Sequence, residues 1–231
     1  MADLTIIYLT VNEMPEAWVE YQLHHLRLSA RGFPIISISR LPMDLWTSLH
    51  DPGPYGYWNL YMQLLRGAVL ADTPYVAVAE DDVLYTPEHF TDFRPPIDKV
   101  SYDRARWSLF SWDPIYCLRQ RVSNCSLIAP RDLLIEALRE RREKWPKGAP
   151  QELIGEVGRE KVEKRLGVTV RGCVEWYCTN PIIHLNHPGG IDETQRTQWK
   201  KHGQIKAHDI PYWGKARDIV RIYNEKLDSS G

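Results

Sequence analysis

YVAVAEDDVLY, residues Tyr75 to Tyr85, is a short apolar run that ends in three consecutive carboxylates. Tyr75 to Ala79 is too brief for a helix and reads as a buried strand. Glu80, Asp81 and Asp82 then stand where that strand ends. In open α/β sheets, ligands collect at the carboxyl ends of strands. Adjacent carboxylates repel one another unless a cation neutralises them, and a hard divalent ion takes oxygen ligands. The competing reading is an acidic turn before a helix that starts at Thr86-Pro87-Glu88.

The flanking sequence supplies the rest of an α/β pattern. Leu4 to Thr10 (LTIIYLT) is a β-branched apolar run, broken by Asn12-Glu13-Met14-Pro15. Glu16 to Ala30 has the make-up of a helix that Gly32 stops, and Pro34 to Ser39 (PIISIS) is a second strand. Strand, helix and strand in forty residues predict parallel pairing. Trp58 to Ala71 places Leu60, Leu64, Leu65, Ala68 and Val69 on one helix face. Further on, Trp107 to Trp112 and Asn124 to Ile128 read as strands. Arg131 to Glu143 and Gln151 to Leu166 read as charged helices. Val168 to His187 is extended, and Ala216 to Leu227 is a closing helix. The expected fold class is α/β, a mostly parallel Rossmann-type central sheet flanked by helices. One domain over 1–231 is expected.

The chain has 231 residues, with 29 Lys and Arg against 30 Asp and Glu, a formal charge of −1. That balance argues against nucleic-acid binding driven by bulk charge. Hydrophobic residues at 43% and charged residues at 26% exclude wholesale disorder. The four cysteines, Cys117, Cys125, Cys173 and Cys178, include no C-x-x-C pair, so a zinc knuckle is not expected. The start, Met1-Ala2-Asp3-Leu4, has no signal-peptide pattern, and no apolar run reaches the ~20 residues of a membrane span. A cytoplasmic protein with free thiols is the expectation.

These residues reach a family. ADTPYVAVAEDDVLYTPEHF resembles the D-x-D region of GT-A-fold glycosyltransferases, including those grouped as family 2. LTIIYLTVNEMPEAW resembles the first strand and nucleotide-binding loop of that fold, and PIISISRLPMDL its second strand and following loop. VSNCSLIAPRDLLIEAL resembles its later strand and helix. PIISIS, EDDVLY-PEHF and the late H-L-N-H are together similar to small bacterial and phage glycosyltransferases. The resemblance spans about residues 4 to 200 and implies, within the single domain, a nucleotide-sugar-binding half at 1–100 and an acceptor half with a C-terminal flap at 101–231.

The resemblance implies a nucleoside-diphosphate sugar donor, such as a UDP- or GDP-sugar, with Mn²⁺ or Mg²⁺. Asp82 matches the acidic position that ligates the ion. Glu80 matches the position turned to the ribose or to the metal and its water, and Asp81 the variable middle. Thr10 and Asn12 match the loop that holds the base, with Arg40 beside the same nucleotide. A late histidine completes such metal sites. His187, before Gly189-Gly190, is the expected ligand. His184 would face the other side of a strand, toward the core or a hydrogen bond. Arg196, Lys200 and Lys201 are candidates for a cationic flap over the diphosphate.

Inverting transfer also needs a carboxylate to take the acceptor's proton. Glu152 fits by chain order, with Asp113 and Glu175 as competitors, and the family's two-acid signature is absent. Trp58, Tyr61, Trp112, Trp176 and Tyr177 are either core residues or the lining of an acceptor cleft. The acceptor could be a glycan, a protein or a modified phage DNA base, the last suggested by the basic run Arg139, Arg141, Arg142, Lys144 and Lys147. Rival readings are a nucleotidyltransferase, which would more often have glycine after the first strand, and a non-catalytic nucleotide-sugar binder.

Overall fold

The computed structural model describes residues 2–54, 56–119, 121–190 and 205–225. Its main sheet holds β1 (Leu4–Thr10), β2 (Ile35–Ser39), β3 (Thr47–His50), β4 (Tyr75–Glu80), β6 (Val100–Asp103), β9 (Leu127–Pro130) and β10 (Cys173–Trp176), in the order β10-β6-β9-β4-β1-β2-β3. All are parallel except β9, which runs antiparallel to both β4 and β6. The fold is therefore mixed α/β with a mostly parallel central sheet.

β1 is buried along its whole length because helices cover both faces. Ile7 and Leu9 meet one layer with Leu64, Ala68, Leu134 and Leu138, from α2 (Tyr57–Leu70) and α4 (Arg131–Lys144). Ile6 and Tyr8 meet the other layer, with Leu23 and Leu26 of α1 (Glu16–Ala30) and Phe90 of α3 (Pro87–Thr91). α2 lies so close to the sheet that a Cβ at Gly67 would come within 2.5 Å of Ile7 Cγ2.

A second, five-stranded sheet has the order β12-β8-β7-β11-β5. Its strands are β5 (Val83–Leu84), β7 (Arg106–Phe110), β8 (Asp113–Leu118), β11 (Ile182–Asn186) and β12 (Lys206–Ala207). A third cluster, including Leu109, Tyr116, Leu185 and Ile219, packs this sheet on α6 (Ala216–Asn224). The hairpin β13 (Asp209–Ile210) and β14 (Gly214–Lys215) leads into α6.

Three sequence expectations need correction. The helix expected over Gln151–Leu166 is a single 3-10 turn (Gln151–Leu153) and a separate α5 (Glu160–Leu166). Gly158 between them has φ +78° and a Cβ there would lie 2.8 Å from Gly172 O, which no helical side chain permits. Asn124 to Ser126 is a 3-10 turn, and the strand begins only at Leu127. The strand expected to reach Trp112 ends at Phe110, because Ser111 and Trp112 make the β7–β8 turn. The polar strand β3 and the two-residue strands carry too little apolar pattern to be read from sequence.

Candidate active site

The acidic triplet is positioned by strand register. Leu9 of β1 pairs with Glu80 of β4, so the ends of the two central strands lie side by side. Asp81 and Asp82 form the two-residue turn to β5. α1 secures that turn from one side, with Trp18 Nε1 donating to Asp81 O at 2.8 Å and Gln22 Nε2 to Val83 O at 3.2 Å. From the other side the Tyr85 hydroxyl accepts from Glu80 N at 3.0 Å and donates to Cys125 O at 2.9 Å. β11 completes the frame, with Leu185 N donating to Asp82 O at 2.8 Å.

Crowding and burial then act on the carboxyls. Burial, followed by the charges of Asp82 and Asp81, pushes Glu80 well above the ordinary carboxylate range. Burial and the Asp82 charge push Asp81 up to about 7. Asp82 goes the other way. Burial opposes its ionisation, but the imidazoles facing it, His184, which also hydrogen-bonds to it, and His187, together hold it below the usual value. At neutral pH, Asp82 is the firmest negative charge of the three.

Both histidines of the H-L-N-H motif reach Asp82. His184 Nε2 lies 3.0 Å from Asp82 Oδ2, and His187 Nε2 lies 4.0 Å from the same oxygen. The expected alternation that would send His184 away fails, because β11 stops at Asn186 and His187 lies beyond it. The glycine loop folds onto His187: a Cβ at Gly190 would be 2.9 Å from its Nε2. Burial holds the His187 imidazole below the ordinary histidine value, with Asp82 opposing, so the ring is neutral at pH 7. Behind His184 sits Arg106, 3% exposed, with Nη1 2.9 Å from His184 Nδ1. Sequence reading missed Arg106. The one available signal was an arginine opening an otherwise apolar strand.

The nucleotide-loop candidates sit on the same edge. Thr10 Oγ1 donates to Asp81 Oδ2 at 2.5 Å and accepts from Asn12 N at 2.9 Å. Asn12 has φ 60°, and its Oδ1 accepts from Leu41 N at 2.9 Å, which clasps the loop after β1 to the loop after β2. Arg40, half-buried, lies in that second loop. Arg196, Lys200 and Lys201 fall outside the described residues.

The three base candidates are scattered. Asp113 opens β8 and pairs with Phe110, which in turn pairs with Asn186, next to His187. Glu152 is exposed on the 3-10 turn after α4. Glu175 lies on edge strand β10 and is ion-paired with Arg104. Among the aromatics, Tyr61 and Trp176 are core residues, Trp58 is half-buried, and Trp112 and Tyr177 are exposed. The basic run is not one surface. Arg141 is 1% exposed, donates to Gly155 O at 2.8 Å, and lies over the Tyr61 ring.

Asp82 Oδ1 is buried and has no hydrogen-bond partner among the described residues. An unpartnered carboxylate oxygen beside a neutral imidazole is the donor set that a divalent cation satisfies. Among the described residues, no three His, Cys, Asp or Glu side chains form a complete ligand cluster. An ion of the magnesium type takes one or two carboxylates from protein and its remaining ligands from phosphate and water. The residues present fit such an ion.

No family model matches the chain, and no curated protein sequence does. Solved structures do. The glycosyltransferase GlyE of Streptococcus pneumoniae matches 98% of the chain over 61% of its own length, at 9% identity and a TM-score of 0.51. A nucleotidyl transferase from Methanothermobacter matches 78% of the chain and 89% of its own, at 15% identity and 0.46. A mannosyltransferase from Pyrobaculum calidifontis, solved with GDP-Man and Mn²⁺, matches 80% of the chain and 56% of its own, at 13% identity and 0.43. The likeness to GlyE is one of fold, and the fold is GT-A-like.

Proposed function

We propose that the chain is a metal-dependent glycosyltransferase that moves a sugar from a nucleoside-diphosphate donor to an acceptor hydroxyl. The observation that carries this reading is the acidic turn. Three crowded carboxylates end the central strand of a GT-A-like sheet, and Asp82 Oδ1 has no partner among the described residues.

In this reading Asp82 Oδ1 and His187 hold the ion, with Glu80 beside it. A divalent cation bound there neutralises the diphosphate and stabilises it as it departs. Thr10, Asn12 and Arg40 receive the nucleotide, and Asp81 keeps the first loop in place through Thr10. The bond between the anomeric carbon and the diphosphate oxygen breaks, and the diphosphate leaves with the electron pair. The acceptor oxygen bonds to that carbon, and its proton passes to a carboxylate. Asp113 is the first candidate for that role, because strand register through Phe110 places it two strands from Asn186, next to His187. Glu152 is the second candidate. Arg196, Lys200 and Lys201 remain proposed as cationic cover for the diphosphate.

The test is turnover. The protein with Mn²⁺ and a panel of UDP- and GDP-sugars is expected to hydrolyse at least one donor slowly, and EDTA is expected to stop it. Donor cleavage that survives EDTA overturns the metal role. Release of pyrophosphate from a nucleoside triphosphate, with no donor cleaved, would instead identify a nucleotidyltransferase. Comparing hydroxymethylated with plain DNA tests the DNA acceptor.

A further inference from the structure

We infer that His184 positions Asp82 and does not ligate the ion, because Arg106 fixes the histidine proton on Nε2. This deepens the proposed function and rests on its reading of Asp82 as the ion-holding carboxylate.

The inference follows from hydrogen-bond polarity. A guanidinium only donates and stays protonated. Arg106 Nη1 lies 2.9 Å from His184 Nδ1, so Nδ1 must present its lone pair. A neutral imidazole then carries its one proton on Nε2. Nε2 is 3.0 Å from Asp82 Oδ2 and donates to it. A doubly protonated ring would set an Nδ1 proton against the guanidinium protons. A ring protonated on Nδ1 alone would leave Nε2 and Oδ2 as two facing acceptors. Only the Nε2–H form satisfies both neighbours.

Arg106 is held to this task. It is buried, its strand pairs with β11 in parallel, and its Nη2 donates to Arg121 O at 3.3 Å. Asp82 Oδ2 is therefore occupied by a proton donor, and the oxygen left for an ion is the unpartnered Oδ1. The consequence runs against distance. The nearer imidazole has no lone pair to offer, which leaves His187, 4.0 Å from Asp82 Oδ2, as the nitrogen ligand of the proposed site. Outer partners of this kind fix the orientation of a ligating group.

Two measurements test the assignment. The first is a long-range ¹H–¹⁵N spectrum of the metal-free wild-type protein, with His184 identified by its loss in His184→Gln. The expected pattern is a protonated Nε2 and a bare Nδ1, kept when Mg²⁺ and UDP are added. A protonated Nδ1, or loss of the Nε2 proton on adding Mg²⁺ and UDP, overturns the inference.

The second measurement is Mn²⁺ affinity by electron paramagnetic resonance. His184→Gln keeps an N–H donor for Asp82 and is expected to bind close to wild type, while His184→Ala loses about 10–100-fold. An equal loss in both variants makes His184 a ligand and contradicts us. Failure of the wild type to bind Mn²⁺ removes the ion, and the proposed function with it. The metal-free spectrum still decides the tautomer by itself.

Discussion

The molecule contains two aspartate–histidine pairs with the same 3.0 Å contact and opposite surroundings. Asp103 and His89 are both fully buried where β6 ends against α3. Each Asp103 oxygen is used: Oδ2 meets His89 Nδ1, and Oδ1 accepts from Ala105 N at 2.8 Å and Cys178 N at 3.3 Å. Asp82 and His184 are partly exposed, and Asp82 keeps one oxygen unmatched among the described residues. The first carboxylate has spent its hydrogen-bonding capacity inside the fold, and the buried atom of that pair left unpartnered among the described residues is the imidazole Nε2 of His89. The second keeps capacity in reserve at the edge where ligands gather. Residue type and distance do not separate the two pairs; completeness of the carboxylate's own hydrogen bonding does.

The contrast is sharpest in substitutions. Asp82→Asn is expected to lower kcat/KM for donor cleavage by about 10²–10³. Thermal melting should stay close to wild type, because the lost interaction with His184 is offset by relief of the repulsion on Glu80 and Asp81. A large fall in melting temperature would make Asp82 structural and erase the distinction.

Asp103→Asn should do the reverse. Its amide N–H₂ must face either His89 or the two backbone donors, and leaving such a buried group unmatched costs about 1–3 kcal/mol. Urea denaturation reads that cost, and activity per folded molecule is expected to be unchanged. Loss of activity without loss of stability would bring Asp103 into the site.

A smaller effect separates the pairs by pH. Burial alone would raise the Asp103 carboxyl, but the His89 hydrogen bond and charge, with the Cys178 and Ala105 donors, hold it below the usual aspartate value. A depressed folded value contributes stability that is complete above the unfolded value of about 4 and is lost as pH falls through the folded one. The wild-type urea midpoint should therefore fall below about pH 4, and less steeply in Asp103→Asn. Parallel slopes would show that the pair contributes nothing to acid stability.

Much of the fold was legible because its signals are local and strong. LTIIYLT and Glu16 to Ala30 gave β1 and α1 with their observed bounds, since continuous burial and a glycine stop leave few alternatives. Gln151 to Leu166 misled because charged residues suit a helix as well as a loop, and only Gly158's left-handed backbone decided between them. In the site, the acidic turn was visible because three adjacent carboxylates are costly anywhere. The role of His184 was not, because it depends on Arg106, which lies 78 residues away in sequence and meets it only once β7 and β11 pair.

If Asp82 holds a divalent ion shared with a diphosphate, nucleotide and ion must bind together. Calorimetric titration of UDP and GDP into wild type and Asp82→Asn, with and without Mn²⁺, tests it most directly. We predict that wild type binds one of these nucleotides tightly only with Mn²⁺, and that Asp82→Asn loses the Mn²⁺-dependent gain. Equal nucleotide affinity in all four titrations would contradict it.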